Sequence, residues 1–338
     1  MVSLRVDTHA HLWTVQYLDR LERLGKADTG TQRGLGADAT DADLAHRFTL
    51  MDRAGVDLQV LSLAPQCPHL MREADAVALA REANDSYAEL VARFPGRFRA
   101  FAAVPLPHVD AALRELTRAL DELGAVGVGV TTTVLGRTLA DPLFWPLYEE
   151  LDRRGAVLYV HPAGEGAASP LITDHGMRWM VGAPVEDTVA MMHLILAGIP
   201  ARYPRLRVLA SHLGGMLPLL PRRLDDHLAF ESPRTPELPS VAVRRLWYDT
   251  VSHAHPPALV AAAATFGADR LVLGTDYPYE DGDTFLRAVD HITRSGLAPS
   301  EAEMILDVNA AHLLGLSGRL RTSSRASRWR HAAYRQNP

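Results

Sequence analysis

Cysteine is almost missing: Cys67 is the only one in 338 residues. An internal disulfide is therefore excluded, and no cysteine-based zinc site can be built. Cys67 lies between Pro65 and Pro68 and reads as a small loop residue rather than a nucleophile. Long apolar runs are missing too. No stretch approaches the roughly 20 residues that span a bilayer, so no membrane partner is expected. The opening "MVSLRVDTHAHLW" moves into a strand pattern without the apolar core of a signal peptide, and the expected location is cytoplasmic. An excess of positive charge is also absent. The formal net charge of −5 gives no whole-chain electrostatic reason to expect nucleic acid. A small or acidic substrate stays open, because charge inside a site can oppose the net charge. A phosphate loop is absent as well: Gly214 and Gly215 are too short a run and lack the required pattern.

What is present is an ordinary globular composition, 47% hydrophobic and 22% charged, able to bury a sizeable core. The length exceeds the roughly 250 residues of a (β/α)8 barrel, so one barrel with an insertion and a tail fits. Two smaller domains would fit the length equally. The residue pattern separates these cases. Eight short apolar, β-branched segments begin at Leu4, Val56, Arg97, Gly124, Ala156, Arg205, Leu246 and Asp269. Runs of this kind suit parallel strands covered on both faces. Helical patterns fill the intervals. "DADLAHRFTLMDRAG" puts Leu44, Phe48, Met51 and Ala54 on one face and stops at Gly55. The alternation predicts an α/β fold, a TIM-like (β/α)8 barrel forming a single domain over residues 1–317. Two stretches fall outside it. Residues 13–40, rich in Gly, Asp and Thr, read as a small insertion over the barrel mouth. Residues 318–338 carry six Arg and no acidic residue and read as a disordered, flexible basic tail.

The polar residues that end the apolar strands carry the functional signal. Side chains alternate along a strand, so His9 and His11 in "DTHAH" point the same way and can grip one metal ion. A His-x-His pair alone is weak evidence. His161 ends the fifth strand in "LYVHPAG", His212 the sixth in "LASHLGG", and Asp276 the eighth in "LGTDYP". A barrel gathers the carboxyl ends of its strands at one mouth, where such folds carry their active sites. Imidazoles with a carboxylate offer borderline N/O ligation suited to Zn2+, with Mn2+, Fe2+ and Co2+ as alternatives. Asp249, in "YDT", ends the seventh strand and is a further residue able to line this mouth.

The chain resembles the branch of the amidohydrolase superfamily typified by 2-amino-3-carboxymuconate-6-semialdehyde decarboxylase. The carrying stretches are "DTHAH", "MDRAGVDLQVLSLAP", "RFPGRF", "VHPAG", "WMVGAPVEDT", "YPRLRVLASHLGG" and "LGTDYPYE", from about Val6 to Leu316. The resemblance implies that His9, His11, His161 and Asp276 bind one divalent metal ion. It implies that His212 is the general acid/base and not a permanent ligand, with Asp276 also orienting water. Chemistry supports that division: a bound metal lowers the pKa of its water to about 7, and a nearby imidazole can take and return the proton. The resemblance further implies a homodimer, and places Arg223 where an arginine meets a substrate carboxylate, in some members across the dimer interface. A guanidinium fork suits that task. Arg33, in the insertion, is a second carboxylate-clamp candidate. Trp179 matches an aromatic of the family pattern, and Trp13 directly follows the His pair; either could stack on a planar substrate.

One departure stands out. The family prototype has His-Pro-Trp-Asp where this chain has His161-Pro162-Ala163-Gly164, which reshapes the pocket and sets its substrate apart. The expected function is a non-oxidative decarboxylase of an aromatic or unsaturated small carboxylic acid. The alternative is a hydrolase of a lactone or amide, or a hydratase, using the same site. A scaffold that has lost catalysis is disfavoured by retention of every expected ligand and acid/base residue.

Overall fold

The computed structural model describes residues 4–316. The basic tail expected over 318–338 lies outside the described residues. The strands are β1 (Val6–His11), β2 (Leu58–Ser62), β3 (Phe98–Ala100), β4 (Ala102–Ala103), β5 (Gly127–Thr131), β6 (Thr133–Val134) and β7 (Arg137–Thr138). They continue with β8 (Val157–His161), β9 (Arg207–Ala210), β10 (Trp247–Asp249) and β11 (Leu271–Val272). Each of the eight apolar segments read from the sequence contains at least one of them. The third is split at Phe101, whose N–H instead donates to Leu61 O at 2.9 Å.

Parallel pairing runs β1-β2-β3 and, separately, β4-β5-β8-β9-β10-β11. Hydrogen bonds join the last strand to the first: Thr8 N–H to Leu273 O at 2.8 Å and His11 N–H to Tyr277 O at 2.7 Å. The result is a mixed α/β fold around a parallel sheet, consistent with a TIM barrel. Strands β6 and β7 form a small antiparallel hairpin outside that sequence of pairs.

The period of two explains why the strands are apolar throughout. In β8, Val157 and Tyr159 belong to a cluster with Val60, Leu209 and Val272, capped by Leu313 and Leu314. Leu158 and Val160 fall on the opposite side, against Met191, Leu194 and Ile195 of the helix Ala183–Leu196. Neither face meets water, so neither can be polar until the strand ends. No helix among the described residues is long and apolar enough to cross a membrane.

The helix read at "DADLAHRFTLMDRA" spans Asp41–Ala54 and ends on Gly55 at φ +69°. Its buried residues are Leu44, Arg47, Leu50 and Met51, so an arginine occupies the apolar stripe. The segment expected as an insertion is ordered, with a helix at Val15–Arg23 capped by Thr14. That helix buries Tyr17, Leu18 and Leu21 against a cluster containing Leu79, Tyr87 and Leu90. Each such side chain contributes roughly 1.5–3 kcal/mol on burial, which suffices to hold the segment down.

Candidate metal centre and active site

The strand ends deliver the polar residues to one place. His9, His11, His161 and Asp276 are all buried, and one ligand atom from each lies within 4.8 Å of the others. His9 Nε2 and His11 Nε2 stand 3.1 Å apart. Both point at the same carboxylate oxygen, Asp276 Oδ1, at 3.1 and 3.2 Å. Below them the rings of Tyr159 and Phe101 stack, and Tyr159 meets His9 edge-on at 5.5 Å.

The outward nitrogen of each ring is engaged or left blank in a way that turns the other inward. His9 Nδ1 donates to Asp249 Oδ2 at 2.7 Å, and His161 Nδ1 to Pro162 O at 3.0 Å. His11 Nδ1 is buried without a partner, so Nε2 is its only nitrogen in use. Burial holds His11 neutral, with its pKa lowered to about 4, and pushes His161 well below the ordinary range. His9 is the exception. Burial opposes its protonation, but the charges of Asp249 and Asp276 outweigh it and raise the pKa to about 9. The two carboxylates thus draw a proton to the spot where a cation would satisfy the same field. Three inward imidazoles and one carboxylate, paired with outer carboxylate and carbonyl partners, fit a divalent ion.

Backbone geometry at the site is unusual. Asp276 lies at φ +62°, with its N–H on His9 O at 2.8 Å. His212 lies at φ +50°, and its N–H donates to Asp249 Oδ1 at 2.9 Å. Left-handed backbone at non-glycine residues costs energy and persists only where surroundings enforce it. Gly274 is required for another reason: a Cβ there would come within 2.8 Å of Asp249 Cβ and 3.0 Å of His9 Cβ.

His212 stands beside the cluster. Its Nδ1 donates to Asp187 Oδ2 at 2.9 Å, and its Nε2 is 3.8 Å from Asp276 Oδ2. Burial would lower its pKa, yet the Asp187 charge and hydrogen bond raise it well above the ordinary value. Asp187 is itself buried and also accepts from Ser211 Oγ at 2.9 Å. The sequence reading missed it. So too Glu186, which accepts from Thr132 Oγ1 at 2.8 Å and from the N–H groups of Ala163, Gly164 and Gly166 at 2.7, 3.2 and 2.6 Å. Two adjacent acids near the start of an otherwise apolar helix were the available signal.

The substrate-binding candidates are spread more widely. Trp13 is buried, stacks on His11 with centroids 5.2 Å apart, and donates to Leu63 O at 2.7 Å. Trp179 is exposed and packs on Gly164, where any Cβ would meet its ring at 2.6 Å. Arg33 is engaged within the insertion, paired with Asp19 at 2.8 Å and Glu22 at 3.0 Å. Arg223 is exposed on the helix Pro221–Glu231. Tyr279, not singled out from sequence, meets both His11 and Trp13 edge-on at 5.8 and 5.9 Å.

Comparison with known proteins agrees with this geometry. The family model described as amidohydrolase matches residues 6–316. The chain belongs to that family. Among curated relatives, this amidohydrolase is 28% identical to a 2-amino-3-carboxymuconate-6-semialdehyde decarboxylase of Dictyostelium discoideum, covering 93% of this chain and 92% of that protein. It is 32% identical to a gamma-resorcylate decarboxylase of Rhizobium radiobacter, over 81% of this chain and 87% of the relative. Among solved structures it matches a 2,6-dihydroxybenzoate decarboxylase from Rhizobium at 28% identity and a TM-score of 0.81, covering 94% and 100% of the two chains. A dihydroxybenzoic acid decarboxylase from Polaromonas, solved with manganese and the inhibitor 2-nitroresorcinol, matches at 26% and 0.81, covering 94% and 98%.

Proposed function

We propose that this amidohydrolase is a metal-dependent, non-oxidative decarboxylase of an aromatic or unsaturated carboxylic acid. The observation that carries the reading is the convergence of His9, His11, His161 and Asp276 beside an Asp187-held His212, in a chain whose relatives are decarboxylases. In this reading the parallel strands close as a (β/α)8 barrel forming one catalytic domain over residues 1–317. His9, His11, His161 and Asp276 hold one divalent ion, which when bound supplies Lewis-acid stabilisation of developing negative charge. We assign Zn2+ on the donor set, with Mn2+ as the competing ion because the Polaromonas relative binds manganese.

Decarboxylation breaks the bond between the carboxyl carbon and the substrate carbon, leaves the electron pair on that carbon, and replaces CO2 by a proton. His212 moves the proton. Its Nδ1 is committed to Asp187, so transfer takes place at Nε2, on the side facing Asp276. Asp187 holds the ring in one orientation and favours its charged form. Trp179 supplies flat apolar surface for a planar substrate, and Arg223 a guanidinium for its carboxylate, whereas Trp13, 2% exposed, backs the His11 ring instead of offering a face to substrate. Arg33 takes part only if substrate displaces Asp19 and Glu22. A homodimer belongs to the same reading, and Phe230, 85% exposed, lies on the Arg223 helix. A cytoplasmic location belongs to the same reading.

Mass spectrometry of hydroxybenzoates, unsaturated acids, lactones and amides after incubation with metal-loaded protein tests the reading. Loss of CO2 from at least one acid is expected. Gain of water without CO2 loss would overturn it and make the protein a hydrolase or hydratase.

A further inference from the structure

Behind the strand ends lies a second polar group of residues that touches no substrate-facing atom. Arg47 is 1% exposed and sits on the helix Asp41–Ala54. Its Nη2 donates to His11 O at 2.5 Å and its Nη1 to Gln59 Oε1 at 3.2 Å. Gln59, on β2, passes the connection on through Nε2 to Asp7 Oδ2 at 2.8 Å. Asp7, on β1, then accepts from Thr275 Oγ1 at 2.6 Å, Thr275 N–H at 3.0 Å and His9 N–H at 3.1 Å. The guanidinium carbon also lies 4.4 Å from the ring centre of Tyr277.

Taken together, this line holds the main chain at His9, His11 and Thr275, and the Arg47 guanidinium packs on the ring of Tyr277, so it reaches both neighbours of Asp276. Three of the four residues of the metal cluster are therefore positioned by one buried chain of donors and acceptors. His161 is not on it. A fully buried arginine bridged to a fully buried aspartate by a neutral amide is a costly arrangement for stability alone, since apolar residues of similar size often serve as well. Its contacts go to the backbone beside ligands, where a small shift changes ligation geometry.

We propose that Arg47, Gln59 and Asp7 form a positioning relay that sets the affinity of the centre for its divalent ion. The proposal rests on the assignment of His9, His11, His161 and Asp276 as the ion's ligands. Neither Arg47 nor Asp7 touches ion or substrate; each acts through the residues that do.

The test titrates full-length apoprotein with Zn2+ and with Mn2+ by calorimetry, for wild type, Arg47→Met, Asp7→Asn and the double variant. Each single change should weaken ion binding about 10–100-fold. The double variant should be no weaker than the worse single one, because both cut the same line. Arg47→Lys, which keeps the charge and one donor, should recover part of the loss. Thr275→Val, a milder cut at the Asp7 end, supplies the same comparison should Arg47→Met fail to fold. A merely structural role would lower the unfolding temperature while leaving ion affinity within twofold of wild type, and that result overturns the proposal. Independent, multiplying losses in the double variant would overturn the relay as well. Absence of ion binding in wild type would instead remove the ligand assignment, a result distinguishable from failure of the relay.

Discussion

The site has two halves, and they are supported differently. His9 and His11 lie on β1 and Asp276 in the segment that follows β11, and they are held from beneath by Asp7, Gln59 and Arg47 through the backbone at His9, His11 and Thr275. His161 and His212, at the ends of β8 and β9, are held from the side by one helix, through Glu186 on the loop after His161 and Asp187 on the His212 ring. The first device fixes where ligand atoms sit. The second fixes a ring's direction and charge, and ties down the loop that follows His161. Asp249 ties the two halves together, bonding His9 Nδ1 and the His212 N–H.

That division can be broken by separating turnover from ion binding. His212→Asn should reduce kcat by roughly 100- to 10,000-fold, the span of general acid–base catalysis, while the ion content found by elemental analysis stays stoichiometric. Loss of the ion would make His212 a ligand and merge the halves. Asp249→Asn should weaken ion binding about 10–100-fold and lower kcat together, since it serves both sides. An effect on only one of the two would deny Asp249 its bridging position.

Asp187→Asn should slow turnover about tenfold or more with ion affinity unchanged, read by steady-state kinetics beside calorimetry. Glu186→Gln should act on stability first. It turns an amide toward a nest of N–H donors and should cost about 1–3 kcal/mol, measured by denaturant unfolding. The smallest effect is expected at Gly164→Ala. A methyl group there collides with Trp179, and the backbone lies at φ +78°, so KM should rise several-fold with kcat nearly constant. An unchanged KM would remove Trp179 from the pocket.

Much of this was legible along the chain because strand ends break a simple rule. A buried strand must be apolar on both faces, so a histidine or aspartate closing one is visible without a structure. His9, His11, His161, His212 and Asp276 were found that way, and so were the eight strands. Asp187 and Glu186 were not, because a helix tolerates acids near its start for reasons unrelated to any site. Arg47 was overlooked on the stripe formed by Leu44 and Met51, where an arginine reads as a long side chain reaching past the core to water. Trp13 and Arg33 were visible as residue types, but their engagement with Leu63 O and with Asp19 and Glu22 was not.

The sequence by itself determined the alternation of strand and helix, the polar residues at the strand ends and the donor chemistry available to an ion. These follow from local periodicity and residue type, which short stretches of chain carry unaided. Only the tertiary structure decided which acid meets which imidazole. Asp187 reaches His212 across 25 residues, Asp249 reaches His9 across 240, and Thr275 reaches Asp7 across 268. Nothing in the local pattern encodes such pairs; they arise when the parallel strands come together and the burial of each charge demands a partner.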